Sequence, residues 1–574
     1  MKMYSDKYTR GRIGAGRQGY AMLIGLFAMM LIVSLGLAFV CITSSSLSAS
    51  RQGLARTQAL TAAEAGIDQA ISFLRGTAPN GTTDGSWRTF HPSASGDDHS
   101  QDTWYTSALN DYQSYRICVR NGTGLLSGKI VITSVGTASQ GGVTKTRTIK
   151  AVVELHEENV NVWNNVIFGG VGQAGKSING NVVMRGSVHL LGDGEDFTDL
   201  DGDGRWSAGE TYTDSNHNGV YDLGEPYSDA DADGHYDAPE PFDDVNGNGV
   251  RDPALTVTDM ASEIGGDANI GNNYSGMSAS LRSLIPASPQ KWFNGETVES
   301  LSAKLRVKHG KVNISGSATV GEPDTAGGAP PTKETMDACY VSDGYGGNAG
   351  ASSVHSDNGS SATYDLPDGM VTFPALTNPY TDAGGVQYDS YMSYLQANGT
   401  VVAGNLNLKP GTAMTISGPK GSLSINASGQ MTISGIVYVQ GNINFNRGTG
   451  STITYSGKGT LVSTGSTYIH TNLVPAVNFP RTDSLGLIAR QNMELATGGG
   501  DSQLTLAGAF YAQWSVISKK QSEIAGTLVG SYFAMQNVPH LFQVPELADN
   551  LPPGMPGADP IWIVSVDVVS WQEK

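Results

Sequence analysis

The residues best placed to do chemistry lie between 199 and 252. Three 12-residue windows follow the pattern D-x-[DN]-x-[DN]-G-x5-E. Positions 1, 3, 5 and 12 are Asp199, Asp201, Asp203 and Glu210 in the first, Asp214, Asn216, Asn218 and Glu225 in the second, and Asp229, Asp231, Asp233 and Glu240 in the third. Gly204, Gly219 and Gly234 stand at position 6, where the chain must turn sharply. Position 7 (Arg205, Val220, His235) offers a backbone carbonyl, and position 9 is Ser207, Asp222 and Asp237. A fourth window carries Asp244, Asn246, Asn248, Gly249, Val250 and Asp252, but Leu255 stands where the glutamate belongs, so it is incomplete or completed from elsewhere. Calcium takes six to eight oxygens at about 2.3–2.6 Å, and alternate residues of a tight loop aim their oxygens at one point. Ca2+ is therefore the expected cofactor. His217 and His235 occupy positions 4 and 7, whose side chains are not ligands.

The pattern resembles the EF-hand loop, but the loops start at 199, 214, 229 and 244. A 15-residue repeat leaves three residues between loops, too few for the paired helices of an EF-hand. The array is instead similar to the helix-less calcium repeats of dockerin and thrombospondin type. Tyr212, Tyr227 and Phe242 recur at one phase and are expected to pack between loops. Residues 193–254 hold 18 Asp/Glu against 2 Arg, a net of −16 out of −18 for the whole chain. Without metal these charges repel one another, and with metal the segment becomes a stiff arm. The competing reading is an acidic disordered linker.

The rest of the chain positions this device. A basic leader (Lys2, Lys7, Arg10, Arg12, Arg17 against Asp6) ends at Gly19, and 23 uncharged residues follow, Tyr20 to Ile42. As a helix they span about 34 Å, enough for a bilayer core. The leader should stay cytoplasmic, which exports everything downstream. The helical signal continues without proline to Arg75. Leu47, Leu54, Ala55, Ala59, Ala62, Ala63, Ile67, Ala70, Ile71 and Leu74 recur at three- and four-residue steps, one face of an amphipathic helix.

Basic leader, Gly19 before the apolar run, and Ala62-Ala63-Glu64-Ala65-Gly66-Ile67-Asp68-Gln69-Ala70 at the end of the helix resemble the type IV pilins, in particular minor pilins with a PilX-type N-terminus. The resemblance implies that a prepilin peptidase cuts after Gly19, that Tyr20 becomes the mature N-terminus, and that the helix leaves the inner membrane to pack among other pilins and minor pilins. Most pilins have glutamate five residues after the cut; here that position is Ile24. The departure suits a tip or low-copy subunit. The competing reading is a static membrane anchor.

Beyond the helix the chain reads as strands. A Gly/Ser/Asp/Pro-rich loop covers 76–104. Ser114–Arg120, Lys129–Val135 and Val143–Leu155 then predict a short antiparallel meander. From Val160 onward, four- to six-residue apolar pieces alternate with Gly and Asn corners, most densely from Gly399 to Ile469. This texture suggests a parallel β-helix or solenoid, with a β-sandwich as the alternative. The expected class is α+β. The division is 1–19 leader, 20–75 helix, 105–155 meander, 160–192 start of the solenoid, 193–254 calcium insertion, 255–398 solenoid with long loops, and 399–574 solenoid core with a closing strand, Ile561–Trp571. Residues 321–398 read as an insertion or long loop.

Cys118 and Cys339 are the one exported pair able to form a disulfide, or else two buried thiols; Cys41 lies in the apolar run. Ten histidines form no recognisable motif, and no GxSxG, HExxH or P-loop occurs, so an enzyme is not expected. Nothing downstream of the leader is basic enough for nucleic acid. The expected function is a minor pilin-like subunit at or near a pilus tip, whose β-rich domain meets a surface or glycan. Alternatives are a tip pseudopilin of a type II secretion system and a membrane-anchored glycan-active β-helix enzyme.

Overall fold

A computed structural model describes residues 16–75, 104–122, 124–126, 129–171, 182–195, 197–198, 200, 206–229, 234–242, 244, 249–253, 269–448, 450–535 and 539–573. Most of the basic leader and nearly all of the 76–104 loop lie outside them. The chain forms two compact units, residues 1–158 with 562–574, and residues 159–561.

The first unit is built on one helix, α1 (Gly16–Arg75), which includes Gly19 and Tyr20 in its first turns. It is the one helix among the described residues long and apolar enough to cross a membrane. Its two halves differ as the residue pattern requires. Met22, Ile24, Phe27, Met30, Ile32 and Phe39 are all exposed, whereas Ala55, Ala59, Ala62, Ala63, Ile67, Ala70 and Leu74 are buried. Leu47 and Leu54, assigned to the packing face from their spacing, are exposed. The contact is made by alanines because the backbones approach closely. A Cβ on Gly66 would lie 2.2 Å from Ser134 Oγ, and one on Gly136 would lie 2.0 Å from the Ala59 carbonyl oxygen. The helical cost of Gly66 is thus the condition for this fit.

The helix packs on β1 (Tyr105–Asn110), β2 (Gln113–Asn121), β3 (Ile130–Gln140) and β4 (Val143–Asn159), an antiparallel sheet with a fifth strand beside β4. Ile117, Val119, Ile132, Ile149, Ala151 and Val153 fill the interface. The fifth strand is Trp562–Glu573, the end of the chain, which contributes Val566 to this core. The expectation that it closes the solenoid is therefore corrected. The first unit's sheet is completed only after residues 159–561 have been made.

The second unit contains a 22-stranded, mostly parallel sheet. Three ladders run through it. In the first, buried residues stack in the order Cys339, Leu305, Val188, Ile167, Leu528, Phe510, Leu487, Leu461 and Val437. The second aligns Leu406, Ile443, Thr467, Met493, Val516 and Phe533. The third aligns Val320, Ile270, Met184, Leu541, Ile524, Leu506 and Leu473. Among the described residues, antiparallel pairing within this sheet is confined to the consecutive strands Met414–Ser417, Gly421–Ile425 and Gln430–Gln440, unlike the antiparallel sheets of a sandwich. Strands this short are stable because each buries apolar residues against the next layer, and parallel ladders need that cover.

The order of layers is not the order of the chain. The chain enters at Ile167–Gly169 in the middle of the stack and builds outward to Ala338–Val341. It then restarts at the far end with Thr400–Ala403 and returns, so that Glu523–Met535 pairs directly with Ile167–Gly169. Beginning and end of the unit are therefore neighbours. Val160 N–H donates to the Ile561 carbonyl (2.7 Å), and Trp163 Nε1 to that of Pro556 (2.7 Å). Adjacent termini are what allow a domain to be inserted between two strands of another sheet.

The crossover between the ends of the stack is made by the segment read as an insertion or long loop. It is an ordered strap that meets successive layers on its way. Val341 N–H donates to the Ala362 carbonyl (3.0 Å), Arg306 grips Asp365 with two bonds (2.9 and 3.0 Å), and Tyr364 bonds buried His189 (2.8 Å). Phe373 then stacks on Tyr511, and the Leu376 N–H donates to Gln513 Oε1 (2.7 Å). The strap ends in a short helix, Tyr391–Ala397, capped by Ser390.

Candidate metal centre

The acidic insertion leaves the stack after Val188–Leu190, in the first ladder, and returns at Asn269–Gly271, in the third. It thus replaces one corner of a layer. Asp199, Asp201, Asp203, Arg205, Asp231, Asp233, Asn246 and Asn248 lie outside the described residues. Those that are described share one geometry. Gly219, Gly234 and Gly249 all have positive φ, and each position-6 N–H donates to its own position-1 carboxylate: Gly219 to Asp214 (2.7 Å), Gly234 to Asp229 (3.0 Å) and Gly249 to Asp244 (2.8 Å). The Gly219 N–H, helped by those of His217, Asn218 and Asn216 and opposed by desolvation, holds the Asp214 carboxyl below the usual carboxylate range.

The second loop is described throughout. Glu225 accepts from the N–H of Ser215 at position 2 (2.8 Å) and of Asp222 at position 9 (3.0 Å). The side-chain amide of Asn218 reaches Asp222 (2.9 Å), so positions 5 and 9 converge, with the Val220 carbonyl at position 7 between them in sequence.

The first and third loops differ from the spacing-based assignment. Glu240, expected to close its own loop, accepts instead from Leu200 (2.6 Å) and Ser207 (2.9 Å), positions 2 and 9 of the first loop. Glu210 accepts from Asp237, position 9 of the third (3.3 Å). Glu195 accepts from Asp252, position 9 of the fourth (3.0 Å). The fourth loop, which lacks a glutamate at Leu255, thus has one from upstream. The sequence did carry a sign of this. Glu195 precedes Asp199 by four residues, as Glu210, Glu225 and Glu240 precede Asp214, Asp229 and Asp244.

The repeating unit is therefore a glutamate, an aromatic two residues on, and a loop. Four such units pair antiparallel, the first with the fourth and the second with the third, and the pairs exchange glutamates. The aromatic rings follow the same symmetry. Phe197 bridges Phe242, and Tyr212 bridges Tyr227. At position 8, Tyr221 stacks on Tyr236 with centroids 3.9 Å apart, and Arg251 lies over Phe197 and Trp206. The expected packing of Tyr212, Tyr227 and Phe242 is only half of this core; Trp206, Tyr221 and Tyr236 were missed, although they too recur every 15 residues.

The donors fit a hard cation: carboxylates, amide carbonyls and backbone carbonyls, with no sulfur. Glu225 and Glu240 are 8% and 4% exposed and have no basic partner among the described residues, a placement that favours a bound positive charge. Among the described residues no three His, Cys, Asp or Glu side chains gather closely enough to hold a metal by themselves.

Cys118 and Cys339 are both buried and not bridged to each other, one in β2 of the first unit and one in the stack of the second, so of the two readings the structure has the pair of buried thiols. Burial pushes the Cys339 thiol up to about 11.

No family model and no curated protein matches the chain. One solved structure, the competence-associated pilin ComZ from Thermus thermophilus, is similar at 16% identity and a TM-score of 0.43, over 90% of this chain and 97% of that chain; at that score the likeness carries no argument about function.

Proposed function

We propose that the chain is a large minor pilin-like subunit of a type IV pilus, carried at or near the tip, with a calcium-stiffened domain for surface contact. The observation that carries this reading is α1. Its first half presents apolar side chains on all sides, and its second half is packed under a sheet that the C-terminal strand completes. Such a helix serves first as a membrane anchor and then as the spine of a filament subunit. The subunit waits in the inner membrane with its N-terminus cytoplasmic, and prepilin peptidase releases it between Gly19 and Tyr20. The size of the inserted unit, and Ile24 in place of a glutamate, favour a low-copy position over repeated stacking. We read the three ladders as the faces of a parallel β-solenoid, and the four loops as Ca2+ sites held by the exchanged glutamates.

Incubation of the full-length protein with prepilin peptidase tests this. Loss of residues 1–19, blocked by Gly19→Val, is the expected mass change. An intact chain, alongside a control prepilin that is cut, would contradict it.

A further inference from the structure

A cavity of about 560 Å3 opens on the second unit, walled by the stack, the strap and the fourth loop of the acidic insertion. Its stack wall is built from Tyr438, on a first-ladder strand, and from two corners between the first and second ladders, the pairs Arg490–Gln491 and Gln513–Trp514. Tyr438 pairs through Val462 and Ile488 to Tyr511, three layers away. At about 4.8 Å per strand this wall is roughly 14 Å long, the reach of a few sugar rings.

Three observations mark it as a binding surface. First, the pairing of Thr505–Ser518 with Glu523–Met535 slips between Ala512 and Ser515, so Gln513 and Trp514 form a bulge. A bulge re-aims side chains, and this one turns both toward the cavity. Second, donors are held ready. Gln513 is buried with its oxygen fixed by Leu376 N–H and the Tyr511 hydroxyl (2.7 Å each), while its amide nitrogen has no partner among the described residues. The Tyr438 hydroxyl, on a residue only 4% exposed, also has none. Third, Arg490 is exposed with no ion pair among the described residues. Trp514 is backed by Tyr532 and Val171, which fixes its ring.

We propose that this cavity binds a short carbohydrate chain bearing carboxylates. A sugar ring has an apolar C–H face and a rim of hydroxyls. Trp514 offers a flat apolar surface for a face, the Gln513 amide and the Tyr438 hydroxyl answer the sugar hydroxyls, and Arg490 offers a fork for a carboxylate. Gln396 and Ser393 close the strap side. Asp244, the first residue of the fourth loop, lines the same cavity, so a cation there also removes a charge that would repel the ligand.

The proposal rests on the surface-contact reading given above and names its ligand. The test is calorimetry on the full-length protein in detergent with millimolar calcium, using trimers of galacturonate, guluronate and glucuronate-containing hyaluronan, with maltotriose and cellotriose as neutral probes. At least one acidic trimer should bind tenfold or more tighter than both neutral ones, and Arg490→Ala should abolish that preference without changing the circular dichroism. Conservative Trp514→Phe should weaken all binding severalfold. Binding of none of the trimers, equal binding of neutral ones, or an unaffected Arg490→Ala protein would each overturn the proposal. Filament membership is read separately, from the mature N-terminus, so either reading can fail alone.

Discussion

Replacing Glu195 by Gln removes one charge and one strong acceptor from the base of the acidic insertion and changes almost nothing in volume. Glu195 is 1% exposed, and its carboxylate receives the Asp252 N–H at 3.0 Å. With Asp244 and Asp252 it would give the fourth loop three carboxylates. A unit charge about 4 Å from another is worth on the order of 4 kcal/mol near a protein surface, and the retained amide oxygen recovers part of that. The fourth calcium should therefore bind about 10–100-fold more weakly, on the order of 1.4–2.7 kcal/mol. The assay is calcium titration of the full-length protein with hydrogen exchange read by peptide. Wild type should take four ions, and Glu195→Gln should lose protection at 244–252 while 214–225 stays protected. Glu240→Gln should deprotect the first loop, 199–207, instead of its own. Glu240→Gln acting on 229–237, or Glu195→Gln leaving 244–252 untouched, would refute the exchange.

Two further perturbations test the framework around this site. Gly136→Ala places a methyl against the Ala59 carbonyl and the Ala63 nitrogen, which are helix backbone and cannot yield cheaply; the first unit should lose about 1–3 kcal/mol, measured by denaturant unfolding. Asp337 accepts from Lys333 and Lys291, and Lys333 is fully buried. Burial opposes ionisation of Asp337, but the two lysines outweigh it and hold its pKa below the usual carboxylate range. Its stabilisation is therefore present above the unfolded-state pKa and is lost as pH falls through the lower folded value. Lys333 keeps a second carboxylate, Asp357 at 3.0 Å, so Asp337→Asn should cost about 1.5–3 kcal/mol at neutral pH and should flatten the acid limb of the stability curve.

Much of this molecule follows from local pattern. The change along α1 from all-round apolar to one-sided marks a stretch long and apolar enough to cross a membrane and then a packing face, and the alternation in Val143–Leu155 marks a half-buried strand. The 15-residue phase of the acidic loops was equally plain. What escaped was pairing at a distance. Glu210 and Glu240 sit at the right spacing for their own loops, and only the antiparallel folding of the units sends them to each other's. Leu47 and Leu54 have the right period, but two backbones in contact select alanine and glycine. The return of Trp562–Glu573 to the first sheet depends on the stack beginning and ending in adjacent layers, which no local window contains. The strap was hidden because its contacts, such as Arg306 with Asp365, are side-chain bonds without periodicity.

The most direct test of a filament role is mass spectrometry of the N-terminus in filaments sheared from cells grown with calcium. A peptide beginning at Tyr20 in the sheared fraction is the expected result. Protein confined to membranes with residues 1–19 intact would contradict it and leave a static anchor carrying the inserted unit.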